Sequence, residues 1–263
     1  MLNCESTEEN EENSKAFSKS TIECLRKADA TKFGDIFPLM FWPLFGDSLL
    51  PHSIKLSLKK GDFKRNSSFL IGTVVNDGTV VPIVMKNNPK QSMIIVLHEF
   101  KRKNVKKLIN YYFSNVNGSN LNESTWAFYN AFTDISFRCP SAYFAKILSQ
   151  FNSIYQYIFA RKPNVNINPF KKSGFEPGHH DEMPFTFGMV PDAEDFAVSM
   201  HWMKMLTHFA KHGKLPWQSY QNSNPQKSPF YKFIGDPQNN EVILSDIYTT
   251  CEKLFPEIFK KMY

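Results

Sequence analysis

The sequence predicts an α/β fold, with a mostly parallel sheet that has helices packed on it. Residues 69–75 form a continuous apolar and β-branched run, which is typical of a strand buried on both faces of a parallel sheet. Residues 153–159 form a second run rich in aromatic and β-branched side chains. Residues 141–151 and 192–212 carry apolar side chains at helical spacing. Strands that alternate with helices favour the α/β class.

The N-terminal quarter of the chain has one clear element. Residues 20–27 predict a short helix, with Ser20 or Thr21 as its N-cap. Residues 1–20 are rich in Glu, Asn and Ser and poor in apolar side chains, so we expect a flexible acidic loop there. Residues 37–50 are dense in aromatic side chains but broken by two prolines and a glycine, which suits an irregular buried segment.

Several elements are predicted in the middle of the chain. Residues 94–113 alternate apolar and basic positions, which indicates an edge strand or turn followed by a helix. Helices are predicted over residues 124–132 and 141–151. The second of these has a buried face of Tyr143, Phe144, Ile147, Leu148 and Phe151.

The clearest helix is residues 192–212. Asp192 is placed to cap its first turn, and Gly213 suits the position after its last residue. Its expected buried stripe consists of Phe196, Met200, Met203, Leu206 and Phe209. Beyond it, residues 230–234 and 241–244 predict a small hairpin, and residues 247–261 predict a terminal helix.

Charge and hydropathy exclude two classes of function. The formal net charge is +6, but the Lys and Arg residues are scattered rather than gathered on one face, so no nucleic-acid partner is expected. No apolar run approaches the roughly 20 residues of a membrane span.

Two sets of residues bear on the cellular compartment. Asn66, Asn117 and Asn122 each begin an N-x-[ST] sequon, which is an acceptor site for glycosylation in secreted proteins. The chain has four cysteines, and their spacing alone leaves three disulfide connectivities open, as well as four buried free thiols.

Residues 178–188 carry the strongest motif in the chain. They read Gly-His-His-Asp-Glu-Met-Pro-Phe-Thr-Phe-Gly. The segment from His179 resembles the histidine loop of type-B carboxylesterases and cholinesterases, H-x-x-E-x-P-F-x-F-G. No window of the 263 residues spells G-x-S-x-G, the nucleophile elbow that a serine esterase also needs.

The resemblance extends over nearly the whole chain in one collinear order, from about Cys4 to Phe259. Residues 24–26 are similar to the "CLR" segment of that family, residues 155–159 to its "Y-x-Y-x-F" strand, and residues 209–213 to its "F-A-[KR]-T-G" helix end. It implies an α/β-hydrolase fold of which residues 1–263 hold the C-terminal portion, namely the last strands with their flanking helices. The early strands, the oxyanion glycines and the signal peptide are expected upstream of Met1.

The resemblance implies two members of a Ser-Asp-His triad. His179 stands three residues before Glu182, where the family has its general base, and His180 replaces a small residue, usually Gly. Asp77 occupies the place of the triad acid, where the family usually has Glu. Glu182 is expected to hold the loop through hydrogen bonds. Without the family, the same residues allow a metal site built from His179, His180, Asp181 and Glu182, or a plain polar surface loop.

Asp77 also has a second structural interpretation. Asn76-Asp77-Gly78 lies between two valine-rich runs, and this is a strong signal for a β-hairpin with residues 79–84 as the return strand. In that hairpin Asp77 would point into solvent rather than towards His179.

The resemblance also implies disulfides Cys4–Cys24 and Cys139–Cys251, and hence an extracellular or cell-surface location. It implies no cofactor, and a small carboxylic ester as substrate. Val80 stands where cholinesterases have an aromatic side chain that holds the choline cation, so a choline ester is disfavoured.

Three hypotheses therefore remain. The chain is a fragment of a secreted serine esterase, inactive alone because the serine lies outside it. Alternatively it is a non-catalytic, neuroligin-like relative used in adhesion or ligand binding. Lastly, it is a truncated product that does not fold alone, because half a sheet leaves an open edge.

Overall fold

The computed structural model describes residues 4, 19–34, 45–81, 87–165, 167–168, 174–220, 228–235, 240–245 and 247–256. Contacts within the chain divide it into two compact units, residues 1–60 and 61–263. The expected acidic loop over residues 1–20 lies outside the described residues, apart from Cys4, Lys19 and Ser20.

The first unit contains three helices, α1 (Lys19–Lys27), α2 (Thr31–Gly34) and α3 (Ile54–Lys60). The predicted helix over residues 20–27 is confirmed as α1. A disulfide joins Cys4 to Cys24 in α1, as the resemblance implies. Of the segment predicted to be buried and irregular, residues 37–44 lie outside the described part. Residues 45–50 form no helix or strand but are mostly exposed, so the expected burial is wrong there.

The second unit is built on a four-stranded sheet in the order β1-β2-β3-β4. Its strands are β1 (Ser68–Val74), β2 (Ser153–Phe159), β3 (Ser228–Phe233) and β4 (Glu241–Ser245). β1 pairs parallel with β2, and β2 pairs parallel with β3. β3 and β4 are antiparallel, which confirms the predicted late hairpin. The mixed, mostly parallel sheet with flanking helices confirms the α/β class.

The strands differ in burial. β2 is buried on both faces, because Ile154, Gln156 and Ile158 on one face and Tyr155 and Phe159 on the other are all buried. β1 lies at one end of the sheet and is mostly half-buried, so the expected burial of both its faces is wrong. A strand at the edge of the described sheet lacks the neighbour that would cover it.

Seven helices accompany the described sheet. They are α4 (Pro89–Glu99), α5 (Val105–Phe113), α6 (Leu121–Thr133), α7 (Cys139–Leu148), α8 (Glu182–Thr186), α9 (Ala193–His212) and α10 (Ile247–Leu254). The edge strand expected near residue 94 is wrong, since α4 occupies that place. Asn88 caps α4 by accepting from Gln91 N–H, and Pro89 suits its first turn.

The larger hydrophobic core lies among α4, α5, α6, α7 and α10. It includes Leu97, Leu108, Phe128, Ile135 and Phe255, each at most 2% exposed. The disulfide between Cys139 and Cys251 lies in this core and links α7 to α10, the pairing that the resemblance implies. No helix in the described part of the chain is long and apolar enough to cross a membrane.

The second core lies between the sheet and α9, and it corrects the predicted stripe. Val198 and Trp202 are buried against Phe159 and Phe233, whereas Phe196 is 47% exposed. The cap and the terminator of α9 are as predicted, since Asp192 accepts from Asp195 N–H and Gly213 is left-handed.

Polar contacts hold inward the face of α9 that carries Asp195 and Ser199. The buried carboxylate of Asp195 forms an ion pair of 2.6 Å with Arg161, just after β2, and accepts from Asn164 N–H. Ser199 Oγ–H donates to the carbonyl of Phe185. The inward face of α9 therefore carries Asp195 and Ser199 beside Val198 and Trp202, a mixture that apolar spacing alone does not predict.

Candidate active site

Asp77 lies directly after the carboxyl end of β1, in a 3₁₀ turn of Asp77–Val80. Its side chain is buried, and Oδ2 accepts a hydrogen bond of 2.8 Å from Val74 N–H. The described residues show no hairpin here, because the chain enters the 3₁₀ turn and β1 pairs with β2; residues 82–84 lie outside the described part. Loops at the carboxyl ends of parallel strands are the usual position for functional groups in open α/β sheets.

Gly78 explains why the turn fits so closely against α6. Its N–H donates to Thr133 Oγ1 at 2.8 Å. A Cβ at this position would meet the backbone carbonyl oxygen of Tyr129 and would lie 2.8 Å from Thr133 N. Only glycine lets the turn approach the helix backbone this closely, and that approach fixes the position of Asp77.

The histidine loop is joined to the same turn through its backbone. Asn76 and Gly178 form a parallel β-bridge, and Asn76 Nδ2 donates to the carbonyl of Phe175. His179 N–H donates to Thr79 Oγ1 at 2.9 Å. The loops that follow β1 and β2 are therefore held to one another at their chemically important residues.

These contacts bring together the two residues predicted as acid and base. Nδ1 of His179 lies 2.8 Å from Oδ1 of Asp77, which is hydrogen-bonding distance. The side chains are 19% and 7% exposed, respectively. Within the described part of the chain, Nε2 of His179 has no hydrogen-bond partner. With its proton on Nδ1 facing the carboxylate, a neutral imidazole has its lone pair on Nε2.

A π-helical turn of Asp134–Arg138 supports this pair from the side. Phe137 lies against the histidine, with ring centroids 5.1 Å apart. Arg138 forms an ion pair with Asp134 and donates to the carbonyl of Val75 at 3.1 Å. Tyr112 O–H donates to the other oxygen of Asp134. These roles were not predictable from the sequence, since a π turn inside a helical stretch leaves no distinctive residue pattern.

His180 adopts a backbone conformation that side chains rarely take. Its φ is 73°, in the left-handed region that glycine enters without steric cost. Its ring centroid lies 4.2 Å from that of His179, so the ring takes up space beside that histidine. Burial lowers the pKa of His180, the charge of His179 lowers it further, and Asp77 opposes both effects.

Asp181, rather than Glu182, holds the loop in shape. Its Oδ2 accepts from Gly178 N–H and its Oδ1 from Asn168 Nδ2, both at 2.7 Å. Asn168 also donates to the carbonyl of His179. Residue spacing did not reveal this role, because Asn168 lies 11 residues before His179.

Glu182 departs from the role expected for it. Its buried Oε2 has no hydrogen-bond partner among the described residues. Burial raises the pKa of Glu182; a hydrogen bond from its own backbone N–H and the charge of His179 act against this, while Asp77 and Asp181 add to it. Its carboxylate thus lies beside the acid and base without a partner for one oxygen.

The alternative metal site is not assembled in the described residues. No three side chains of His, Cys, Asp and Glu come together there in an arrangement that would hold a metal ion. The three sequon asparagines, Asn66, Asn117 and Asn122, are all exposed.

Comparisons with known proteins give a family and a distant relative. A family model described as the Carboxylesterase family matches residues 1–254. Acetylcholinesterase-1 from Trittame loki is 23% identical to this chain over 248 residues. That alignment covers 79% of the chain and 44% of the relative, so the chain spans less than half the length of the relative it matches.

Proposed function

The chain belongs to the carboxylesterase family, and we propose that it supplies the acid and the base of a serine hydrolase that cleaves carboxylic esters. In this proposal His179 is the general base and Asp77 is the acid that orients it. The 2.8 Å contact between His179 Nδ1 and Asp77 Oδ1, with Nε2 unbonded in the described part, is the observation that carries the proposal.

The proposed reaction uses Nε2 of His179 twice. A serine hydroxyl attacks the ester carbonyl carbon while Nε2 takes its proton, and the imidazolium then gives that proton to the departing alcohol oxygen. Water repeats the sequence on the acyl-enzyme and releases the carboxylic acid. Asp77 stabilises the imidazolium in both halves through its hydrogen bond.

The serine comes from outside these 263 residues, whose sequence contains no G-x-S-x-G. Two surfaces support a further segment beside the site. β1 is a half-buried strand at the end of the described sheet. An apolar patch follows the histidine loop, and its members, 39–62% exposed, are Met183, Phe187, Met189, Phe196 and Met200. Covering both surfaces would bury apolar area and satisfy the strand edge.

An uncharged carboxylic ester is the proposed substrate class. Val80 lies in the same 3₁₀ turn as Asp77, three residues after the acid. An aliphatic side chain there offers no aromatic face to a quaternary ammonium group. The related acetylcholinesterase therefore supports ester cleavage as the reaction, but it does not support a choline ester as the substrate.

Secretion is part of the same proposal. The two disulfides support an oxidising compartment, since such bonds are rare in the reducing cytosol. The exposed asparagines Asn66, Asn117 and Asn122 are the proposed glycosylation sites.

A non-catalytic, neuroligin-like binding role is the second candidate, and the position of the His180 ring favours it. A ring only 4.2 Å from that of His179 takes up space beside the base. In this role the pair would be a structural remnant and would react with nothing.

Labelling by a serine-reactive fluorophosphonate tests the proposal. The longest natural product that contains this chain should be labelled, and the 263 residues alone should not. His179→Ala should slow labelling at least about 100-fold, because the base is lost. His98→Ala, which replaces an exposed histidine near the end of α4, is the matched control and should change nothing.

Labelling that persists unchanged in His179→Ala would overturn the assignment of the base. A full-length product that resists labelling, and that carries another residue where the nucleophilic serine should be, would leave the binding role instead.

A further inference from the structure

A cavity with a volume of about 470 Å³ lies beside β3. Its walls come from α9, from the segment that follows α9, and from β3. It shares no lining residue with the contacts of Asp77 and His179. Its volume is in the range of small-molecule sites.

The floor of the cavity is apolar and aromatic. Trp217 stacks on Tyr231 with ring centroids 4.3 Å apart and an angle of 10° between the rings. Leu215 is buried beside them, and Met205 packs against the same cluster. This rigid stack gives a flat surface that suits a hydrocarbon chain or a ring.

Trp217 also carries an unused hydrogen-bond donor. Trp217 is only 7% exposed, and its buried Nε1–H has no acceptor in the described part of the chain. Buried indole N–H groups usually have a partner, whereas that of Trp217, a residue of the cavity lining, has none among the described residues.

The rim of the cavity is basic. Lys204 and His208 come from α9, and Lys214 follows that helix. None of the residues that line the cavity is acidic, and no described carboxylate pairs with Lys204 or Lys214. The cavity thus combines an apolar floor with uncompensated positive charge at its edge.

We propose that this cavity binds a small amphipathic carboxylate. The apolar body packs on Trp217, Met205 and Leu215, and the carboxylate is held at the rim by Lys204 and Lys214. A neutral apolar ligand would leave both ammonium groups without a counter-charge, and a polar anion would leave the aromatic floor uncovered. The proposal is independent of the proposed function, since it uses neither Asp77 nor His179.

Calorimetric titration of the 263-residue chain with octanoate tests the proposal. Octanoate should bind saturably, whereas 1-octanol and acetate should each bind at least about tenfold more weakly, because each lacks one of the two contacts. The double change Lys204→Gln and Lys214→Gln should raise the Kd for octanoate by about tenfold. Lys211→Gln, an exposed lysine on α9 that does not line the cavity, is the matched control and should leave the Kd unchanged.

Tryptophan fluorescence locates the ligand. Octanoate should change the emission of the natural chain, and Trp217→Phe should remove that change. The proposal is overturned if octanoate does not saturate, if 1-octanol binds equally well, or if Lys211→Gln weakens binding as much as the double change.

Discussion

At the scale of single residues, the site depends on a few side chains with one task each. Thr79 holds the backbone of His179, Asp181 holds the turn before it, and Phe137 lies against its ring. The positions that remain unfavourable are His180, with its left-handed backbone, and Glu182, with its orphaned carboxylate oxygen. Both lie next to the proposed base, and strain concentrated there is typical of functional loops.

His180→Gly should raise the free energy of unfolding by about 1 kcal/mol relative to His180→Ala. Both changes remove the ring, but only glycine relieves the backbone at φ 73°. Urea unfolding of the two variants measures the difference. Equal stabilities would show that the backbone here carries no strain.

Glu182→Gln should stabilise the chain more at pH 7 than near pH 4, the usual pKa range of a glutamate. The pKa of Glu182 is raised in the folded state, chiefly by burial. Its protonated form is therefore tolerated at low pH, and stability is lost as the pH rises through the raised value and the buried carboxylate ionises. Glutamine stays neutral throughout.

Urea unfolding at the two pH values measures this effect, with Glu99→Gln as the control on an exposed glutamate. A gain in stability that is the same at both pH values would contradict the proposed burial cost.

At the scale of elements, the site is the place where the turns after β1 and β2 meet α6 and the π turn. The close approach of Gly78 to the backbone of α6 sets how far Asp77 reaches towards His179. No single helix or strand holds the pair. Its geometry therefore depends on the packing between elements.

Gly78→Ala should lower the free energy of unfolding by about 1–3 kcal/mol, since the new methyl group meets backbone atoms that cannot move aside. Gly118→Ala is the matched control, because a Cβ there meets nothing within 4 Å. Thermal or urea unfolding measures both. A loss at Gly118 as large as that at Gly78 would contradict the packing argument.

Sequence patterns predicted some elements well and failed on others for identifiable reasons. β2 and the ends of α9 were predictable, because their signals are local: a β-branched run, an Asp cap and a terminal Gly. The buried face of α9 was not, since Asp195 is held inward by Arg161 on another element. The start of α4 was predicted as an edge strand or turn because the apolar residues of this helix are not confined to one face. Met93 and Leu97 are buried, and Ile94, Ile95 and Val96 are half-buried.

The residues of the candidate site also differ in whether the sequence predicts them. Asp77 and His179 were predicted from the family resemblance, and the structure places them within hydrogen-bonding distance. Phe137, Thr79 and Asn168 were not found. Their contacts join residues 11 to 100 positions apart, and no local pattern encodes contacts of that kind.

At the scale of the whole molecule, the chain belongs to the carboxylesterase family. It matches less than half the length of a distant relative, an acetylcholinesterase. In the proposed longer protein, a further segment would cover the half-buried edge strand β1 and the exposed apolar residues that follow the histidine loop. The larger core, by contrast, is closed within these residues by α10 and the disulfide from Cys139 to Cys251.

Replacing Cys139 and Cys251 with Ala should lower the free energy of unfolding by about 4–5 kcal/mol, because their disulfide closes a long loop. The same double change at Cys4 and Cys24 should cost about 3 kcal/mol, because that loop is shorter. The sequence separations are 112 and 20 residues. Denaturant unfolding measures both losses, and a smaller loss for the longer loop would contradict this ranking.

In the proposed function, Asp77 and His179 act together as the acid and base of an ester hydrolase. The most direct test is kcat for a short-chain 4-nitrophenyl ester, measured on the longest natural product that contains this chain and on its Asp77→Asn variant. We expect kcat to fall by about 10⁴-fold, because Asn cannot stabilise the imidazolium or hold the required tautomer of His179. A kcat that stays within about threefold of the natural protein would contradict the claim.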